Sequence, residues 1–168
     1  MTRFGEVLKS QAVLYESVLI SEKTEMAIHF NEKTVEVALV NQLGYERIAM
    51  ACAASFAQMM GFSAERIEDV KTAVAEATIN AMQHGNEGGP DAKVIISMHF
   101  KDDTLHIAVM DDGGGIKELP PKPDIDRIIE NLDPPTGFGT FLIKELVDQV
   151  EFNEMTDGGH VVNMAIKL

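Results

Sequence analysis

The sequence predicts one domain of the α/β class, in which helices and strands occur along the same chain. The 168 residues are enough to bury a sizeable core. Apolar residues recur every three or four positions across residues 63–86, as in an amphipathic helix. They alternate with polar residues across residues 34–40, as in a half-buried strand. No internal repeat, low-complexity tract or break in composition divides the chain.

The other elements are predicted from the same two periodicities. Residues 4–20 carry apolar side chains at roughly helical spacing, which indicates a short amphipathic helix that packs on the domain edge or contacts a partner. Strands at residues 25–29 and 34–40, joined by a turn at 31–33, suggest a hairpin. The remaining predicted elements are a helix over 45–60 ending at Gly61, strands over 93–100 and 104–110, a helix over 140–150, and a closing hairpin of strands over 150–154 and 160–167.

The helix predicted over residues 63–86 is the element around which the others are organised. Ser63 suits its N-cap, and residues 84–90 end it. Glu76 and Asn80 stand four residues apart, so both side chains project from one face of the helix. Asn is a poor helix former, so something other than local propensity is expected to keep Asn80 in mid-helix. The pair is either a half-buried polar contact or part of a functional site.

Composition limits the partners and the compartment. The formal net charge of -13 argues against nucleic acid or an anionic membrane as a partner. An anionic ligand would therefore be held by local donors or by a metal ion. Cys52 is the single cysteine and lies in an apolar run, which fits a small core residue. The sequence shows no secretory signal, long apolar span or lipidation motif, and we expect a cytoplasmic protein.

Two glycine-rich stretches indicate contacts with a ligand. Asp111 ends a predicted strand and is followed by glycines, which let a backbone approach a flat ligand closely. A carboxylate there can accept a hydrogen bond from an exocyclic amino group, although a simple glycine-rich turn explains the same residues. Residues 137–139 read Gly-Phe-Gly before a helix, where exposed N–H groups favour an anion. Residues 117–136 hold five prolines and no apolar periodicity, which predicts a lid or binding loop.

The common nucleotide and metal motifs are absent from the sequence. It has no GxxxxGK(S/T) P-loop, no GxGxxG after the first strand, and no CxxC or HExxH pattern. The lysine strand and the HRD and DFG motifs of eukaryotic-type protein kinases are missing too. A nucleotide site in this chain is therefore of another design.

Three stretches, in this order, resemble the sequence boxes of the GHKL (Bergerat-fold) ATP-binding superfamily. Residues 76–85 resemble its N box, residues 111–116 its G1 box, and residues 137–148 its G2 box. Their order and spacing are similar to those of the anti-sigma-factor serine/threonine-protein kinases of the stress and sporulation switches. The resemblance covers residues 24–168 and leaves residues 1–23 as an N-terminal extension. It implies a two-layer α/β sandwich with a mixed, mostly antiparallel sheet and helices on one face.

The resemblance also implies roles for individual residues. Glu76 matches the general base that would deprotonate a substrate hydroxyl. Asn80 matches the ligand of Mg2+, a hard cation that prefers oxygen ligands. Asp111 matches the carboxylate that reads adenine, and residues 117–136 match the ATP lid. The implied contacts with the ATP cofactor are made by Asn80, His84, Asp111, Gly113, Gly115, Ile116, Thr136, Gly137, Phe138, Gly139 and Thr140.

Some positions depart from the family pattern or carry two interpretations. The predicted lid holds few cations, and no basic residue immediately precedes Gly137, where some relatives carry one. His160 follows Gly159, where many members of the family have Thr. Both departures bear on phosphate contacts and turnover. His84 follows the metal side of the N box and either lines the site or lies on the surface at the helix end.

The function implied by the resemblance is that of an ATP-dependent serine/threonine-protein kinase that is also an anti-sigma factor. Its substrate would be a STAS-type anti-anti-sigma antagonist, and its other partner would be a sigma factor or another regulator. Whether the protein forms a homodimer is left open. A nucleotide-gated binding switch without kinase activity is the alternative. The third hypothesis is the catalytic domain of a sensor histidine kinase. Such a kinase needs a phospho-acceptor helical hairpin, and residues 1–23 are too short to form one. Glu76 favours the kinase, because a pure switch needs Asn80 but no base.

Overall fold

The computed structural model describes residues 33–86, 89, 91–113, 123–130, 137–156 and 158–168. The helix predicted at 4–20, the strand at 25–29 and most of the lid predicted at 117–136 lie outside these residues. Predictions for those stretches therefore stay predictions.

Five strands form one sheet: β1 (Lys33–Val40), β2 (Lys93–Lys101), β3 (Thr104–Asp111), β4 (Gln149–Glu154) and β5 (His160–Lys167). Their order across the sheet is β1-β2-β3-β5-β4. All the pairings between described strands are antiparallel, so the parallel part of the implied mixed sheet is not seen in this portion of the chain. The five strands predicted within the described residues are confirmed to within one residue at each end.

The tight turn between β2 and β3 explains their hairpin. Asp102 and Asp103 have φ of 49° and 55°, which is the left-handed conformation that a two-residue hairpin turn requires. Asp tolerates this conformation better than most residues. The turn predicted from the sequence at this point is confirmed.

The sheet buries one of its faces beneath the helices. Along β2, Val94, Ile96 and Met98 are buried, whereas the alternate side chains Ile95 and Ser97 are only partly covered. This alternation follows from the two-residue period of a strand, which sends successive side chains to opposite faces. β3 shows the same alternation, with Leu105, Ile107 and Val109 buried.

Helices supply the second layer of the sandwich. They are α1 (Glu46–Met60), α2 (Ala64–Asn80) and, after a short helix α3 (Ile125–Ile129) inside the predicted lid, α4 (Phe138–Leu146). The second layer is formed by α1, α2 and α4. α2 packs against both α1 and α4, and α1 and α2 share one apolar core with the sheet. None of the helices in the described part of the chain has the length and hydropathy that a membrane span requires. The predicted α/β class and the placement of the main helices are thus confirmed.

α2 begins as the sequence predicts but ends in an unusual way. The Ser63 hydroxyl accepts a hydrogen bond from the Arg66 N–H at 3.2 Å, which confirms the N-cap. Just before it, Gly61 ends α1 with φ of 93°. After Asn80 the chain continues as a five-residue π-helical turn, Ala81–Gly85. π-helical turns are rare in proteins, and those that occur often lie at functional sites.

α4 begins and ends earlier than the sequence predicts. Apolar spacing predicts this helix over residues 140–150, but Gly137, with φ of 77°, is followed at once by helical geometry. At the other end the Leu146 carbonyl accepts a hydrogen bond from the Arg66 guanidinium at 3.2 Å, and Val147 is already extended. Contact with α2 therefore ends the helix before the apolar pattern does.

Candidate functional site

A cavity of about 230 Å³ lies where α2 ends beside the adjoining ends of β3, β4 and β5. Asn80 and Asp111, both predicted as site residues, are in its wall. The residues that line it are Asn80, Ala81, Gly85, Asp111, Phe152, Asn153, Glu154, His160, Val161 and Val162. The structure therefore brings parts of the predicted N and G1 boxes to one place.

Asp111 is the last residue of β3, and its side chain is buried. Its Oδ1 accepts a hydrogen bond from the Gly113 N–H at 3.1 Å. Burial raises the pKa of the Asp111 carboxyl, and the Gly113 N–H and the neighbouring His160 oppose that rise. A buried carboxylate held by few partners is an acceptor suited to a polar ligand.

Glycines allow three chain segments to pack closely at Asp111: the π-helical turn, the loop after β3 and the loop before β5. A Cβ on Gly85, in the π-helical turn, would overlap the Asp111 carboxylate. A Cβ on Gly113 would overlap the backbone carbonyl of Gly85, and one on Gly159 would overlap the Asp111 carbonyl. These glycines are therefore required for the close approach of one chain segment to another, and this approach shapes the cavity.

The packing of α4 on α2 brings Gly139 against Glu76 and Asn80. A Cβ on Gly139 would overlap the Glu76 carboxylate and would lie 3.7 Å from Asn80 Nδ2. The predicted N and G2 boxes, which are far apart in sequence, thus meet at one point. The carboxylate–amide pair of α2 faces the glycine-rich start of α4.

The surroundings of Glu76 change its acidity. Its side chain is half-buried, and this burial raises the pKa of the carboxyl above its ordinary value of 4.5. A general base is most effective when its pKa approaches the working pH. The shift is therefore in the direction that proton abstraction near neutral pH requires.

Asn80 carries a buried polar group that the fold does not use. Its Nδ2 is shielded from solvent and has no hydrogen-bond partner within the described residues. The oxygen and nitrogen of the amide exchange places by a simple flip, so this side chain can present its oxygen to a cation. In the described ranges, no group of three or more His, Cys, Asp or Glu could hold a metal ion. Asn80 therefore fits a Mg2+ that takes its other ligands from phosphates and water.

The start of α4 offers backbone donors next to this pair. The first N–H groups of a helix have no intrahelical acceptor, and together with the helix dipole they favour an anion. No acidic side chain occupies the first turn of α4, and Thr140 in that turn is buried. Gly137 and Phe138 are half-buried beside it. The arrangement suits a phosphate group.

Not every predicted site residue is described or lies at the cavity. Gly115, Ile116 and Thr136 lie outside the described residues. His84 is described; it is exposed on the π-helical turn and does not line the cavity. Its role in nucleotide binding stays a prediction.

Asn86 is a buried residue of the site that sequence reasoning missed. Its Nδ2 donates to the Lys93 carbonyl at 3.0 Å and to Asn41 Oδ1 at 3.3 Å. Its Oδ1 accepts from the Asp112 N–H at 3.1 Å, so it ties the end of the π-helical turn to the loop after Asp111. In the sequence it is only one of several residues that stop a helix, because its partners are distant along the chain.

Known proteins provide an independent comparison. The family model of the histidine kinase-like ATPase domain matches residues 39–166, more than half of the chain. The chain belongs to this family. This match confirms the family that the three sequence boxes predicted.

Two relatives illustrate the branch of the family to which the chain is similar. The anti-sigma F factor of Oceanobacillus iheyensis is 29% identical over 146 residues, covering 82% of this chain and 93% of that protein. The serine-protein kinase RsbW of Halalkalibacterium halodurans is 31% identical over 151 residues, covering 83% of this chain and 85% of that protein.

A solved structure has a similar fold. The RsbU and RsbW domains of Rv1364c from Mycobacterium tuberculosis superpose with a TM-score of 0.59 at 16% identity. The match covers 81% of this chain and 32% of that longer chain. At this level of identity the likeness concerns the fold alone.

Proposed function

We propose that this member of the histidine kinase-like ATPase family is an ATP-dependent serine/threonine-protein kinase that also acts as an anti-sigma factor. Its substrate is a STAS-type antagonist, and a sigma factor or another regulator is its second partner. The observation that carries the proposal is the packing of Gly139 against Glu76 and Asn80. This packing sets a candidate base and a candidate metal ligand beside a candidate phosphate site. The similarity to an anti-sigma F factor and to serine-protein kinases supports the same pair of activities.

Each part of ATP has a candidate partner in the chain. Asp111 would accept a hydrogen bond from the exocyclic amino group of adenine. The N–H groups at the start of α4 would hold phosphate oxygens. Asn80 would hold Mg2+, which when bound neutralises charge on the phosphates.

Glu76 would accept the proton of the substrate hydroxyl as the oxygen attacks the γ-phosphorus. The bond from the γ-phosphorus to the β–γ bridging oxygen would break, so that ADP leaves. Glu76 lies one helical turn before Asn80, so the base and the metal ligand stand side by side on α2. Phosphoryl transfer depends mainly on positioning and electrostatic stabilisation, and an oriented base adds to both. General-base catalysis typically contributes about 10²–10⁴-fold to a rate.

The decisive experiment is phosphate transfer to a STAS protein. The full chain is incubated with Mg-ATP and each candidate STAS protein of the same cell, and the mass of the STAS protein is measured. We expect the mass to increase by one phosphate. Glu76→Gln should slow the transfer by at least about 100-fold and change ATP affinity by less than about threefold. The control Glu36→Gln, at an exposed position of β1, should behave as the wild type.

Two outcomes would contradict the proposed mechanism in different ways. Transfer at the wild-type rate by Glu76→Gln would make Glu76 a structural residue. A wild type that binds ATP but phosphorylates no STAS protein would instead favour the nucleotide-gated binding switch. In that case Glu76→Gln should leave binding of the sigma factor and its release by nucleotide unchanged.

A further inference from the structure

His160 is a largely buried residue, with a side chain 18% exposed, that the proposed chemistry does not use. It is the first residue of β5 and lines the cavity. Both Nδ1 and Nε2 are shielded from solvent and have no hydrogen-bond partner among the described residues. Buried polar atoms without partners are destabilising, so an imidazole kept in this state calls for an explanation outside the stability of the fold.

Two carboxylates stand on either side of the ring. The antiparallel register places Asp111 of β3 and Glu154 of β4 directly opposite His160. Nδ1 is 3.8 Å from Asp111 Oδ1, and Nε2 is 3.9 Å from Glu154 Oε1. Both distances are slightly longer than a hydrogen bond. A small shift of the side chains would bring either pair within hydrogen-bond distance. The Asp111 side chain is 8% exposed and that of Glu154 84% exposed, so the ring stands between a buried and a solvated carboxylate.

The two oxygens of Asp111 have different surroundings. Oδ1 accepts the Gly113 N–H and is the oxygen closer to the His160 ring. Gly85 closes over the carboxylate from the π-helical turn and leaves it no room to move in that direction. Within the described part of the chain, Oδ1 is the carboxylate oxygen with a hydrogen-bond donor, and Oδ2 lies beside Gly85 in the cavity wall without one.

We propose that His160 is a positioning residue for recognition of the nucleotide base. Its Nδ1–H holds Asp111 through Oδ1 so that Oδ2 faces the exocyclic amino group of adenine, and the exposed Glu154 carboxylate lies beyond Nε2. This inference rests on the proposed function, because it takes Asp111 as the residue that reads the base of ATP. The ring acts through Asp111, since its own nitrogens are shielded. His160 also lowers the Asp111 pKa against the effect of burial.

The role is tested by comparing ATP with purine riboside triphosphate, which lacks the exocyclic amino group. In the wild type, loss of a hydrogen bond to a charged acceptor should weaken binding about 10-fold or more. If His160 positions Asp111, His160→Ala should weaken ATP binding and leave analogue binding near the wild-type value. The preference for ATP would then fall towards one. Titration calorimetry on the full chain at neutral pH measures both affinities.

A pair of amide substitutions separates positioning from packing. The amide nitrogen of Asn is the same number of bonds from the backbone as Nδ1 of His160, which is the ring nitrogen on the Asp111 side. That of Gln corresponds to Nε2, on the Glu154 side. His160→Asn should therefore keep most of the preference for ATP, and His160→Gln should lose it. His99→Asn, on the opposite face of the sheet, is the control and should leave the preference unchanged.

The amide pair keeps the test valid even if His160→Ala does not fold. A preference for ATP that survives in both His160→Ala and His160→Gln overturns the proposal. Equal losses of affinity for ATP and the analogue overturn it too, because they indicate a packing role. A wild type that binds ATP and the analogue equally contradicts base recognition by Asp111. A wild type that binds neither contradicts the proposed function itself.

Discussion

At the scale of single residues, the half-buried position of Glu76 makes its chemistry depend on pH. Burial raises its pKa above 4.5, so the carboxylate takes up a proton at a higher pH than an exposed Glu does. A protonated Glu76 cannot accept the substrate proton. We therefore expect the rate of phosphate transfer to fall as the pH decreases through this raised pKa, which initial rates between about pH 5 and 8 would measure.

Glu76→Gln tests whether protonation of Glu76 causes the decrease in rate at low pH, which is the acid limb of the pH–rate profile. The variant should be slow at every pH and should lack the limb, because Gln has no proton to exchange in this range. Glu36→Gln serves again as the control and should reproduce the wild-type profile. A limb that persists in Glu76→Gln would assign the ionisation to another group.

Asp111 illustrates a residue whose functional state opposes stability. Burial raises its pKa above 3.8 in the folded protein, so the ionised form is destabilising at neutral pH and this effect disappears below about pH 3.8. Asp111→Asn keeps the acceptor for the Gly113 N–H but removes the buried charge. Relative to the wild type, the variant should therefore gain in free energy of unfolding as the pH rises from about 4 to 7.5.

The same variant should lose nucleotide binding. Replacing the carboxylate removes a charge-assisted hydrogen bond to the base, which is worth about 1.5–3 kcal/mol, or roughly 10–100-fold in affinity. Denaturant unfolding and calorimetry measure the two effects separately. Asp91→Asn, at an exposed position just before β2, is the control for both. A pH-independent loss of stability in Asp111→Asn would show that the carboxylate serves the fold instead.

At the scale of elements, the contact between α2 and α4 sets the geometry of the site. Gly139→Ala would place a methyl group where the Glu76 carboxylate lies, with the new Cβ 3.7 Å from Asn80 Nδ2. Ala is a better helix former than Gly by about 1 kcal/mol, which would partly offset the overlap in the free energy of unfolding. The displaced carboxylate should slow phosphate transfer by at least about 10-fold, because errors of about 1 Å in position can cost 100-fold.

The control for this prediction lies on the same helix. Glu145→Ala, at an exposed position of α4, should leave the rate unchanged. Circular dichroism and initial rates would show whether activity falls while the fold is kept. Wild-type activity in Gly139→Ala would mean that Glu76 has room to move and that the tight contact is not required for transfer.

At the scale of the whole molecule, ATP should stabilise the folded state. Asp111 and Asn80 lie at the ends of β3 and α2, which also carry much of the core, so a nucleotide held by both elements opposes global unfolding. At a ligand concentration 100-fold above Kd the gain is about 2.7 kcal/mol. Melting curves with millimolar Mg-ATP would detect it.

Asn80→Ala refines this prediction. It should remove most of the part of the stabilisation that depends on Mg2+ and leave a smaller part that EDTA does not abolish. Identical melting with and without Mg-ATP in the wild type would contradict nucleotide binding. An unchanged response to Mg2+ in Asn80→Ala would contradict the assigned metal ligand.

Elements with local signals could be predicted from the residue types alone. The N-cap at Ser63, the helix end at Gly61 and the turn at residues 101–103 follow from residue types that favour those conformations, and the structure confirms them. The order of three boxes also predicted the family, since the residue types that a nucleotide site needs are themselves a sequence pattern. These features are recoverable because neighbouring residues alone produce them.

Contacts between distant residues follow from helix packing and strand register. Glu76 touches Gly139 because α4 packs on α2, and His160 lies between two carboxylates because the register of β3, β5 and β4 puts it there. Apolar spacing predicts that Phe141, Leu142, Leu146 and Val147 face inward. The structure buries Val147, leaves the other three partly buried, and fully buries Ile143, which the spacing did not single out. Contacts of this kind depend on strand register and helix packing, which the whole core determines and no local stretch of sequence can specify.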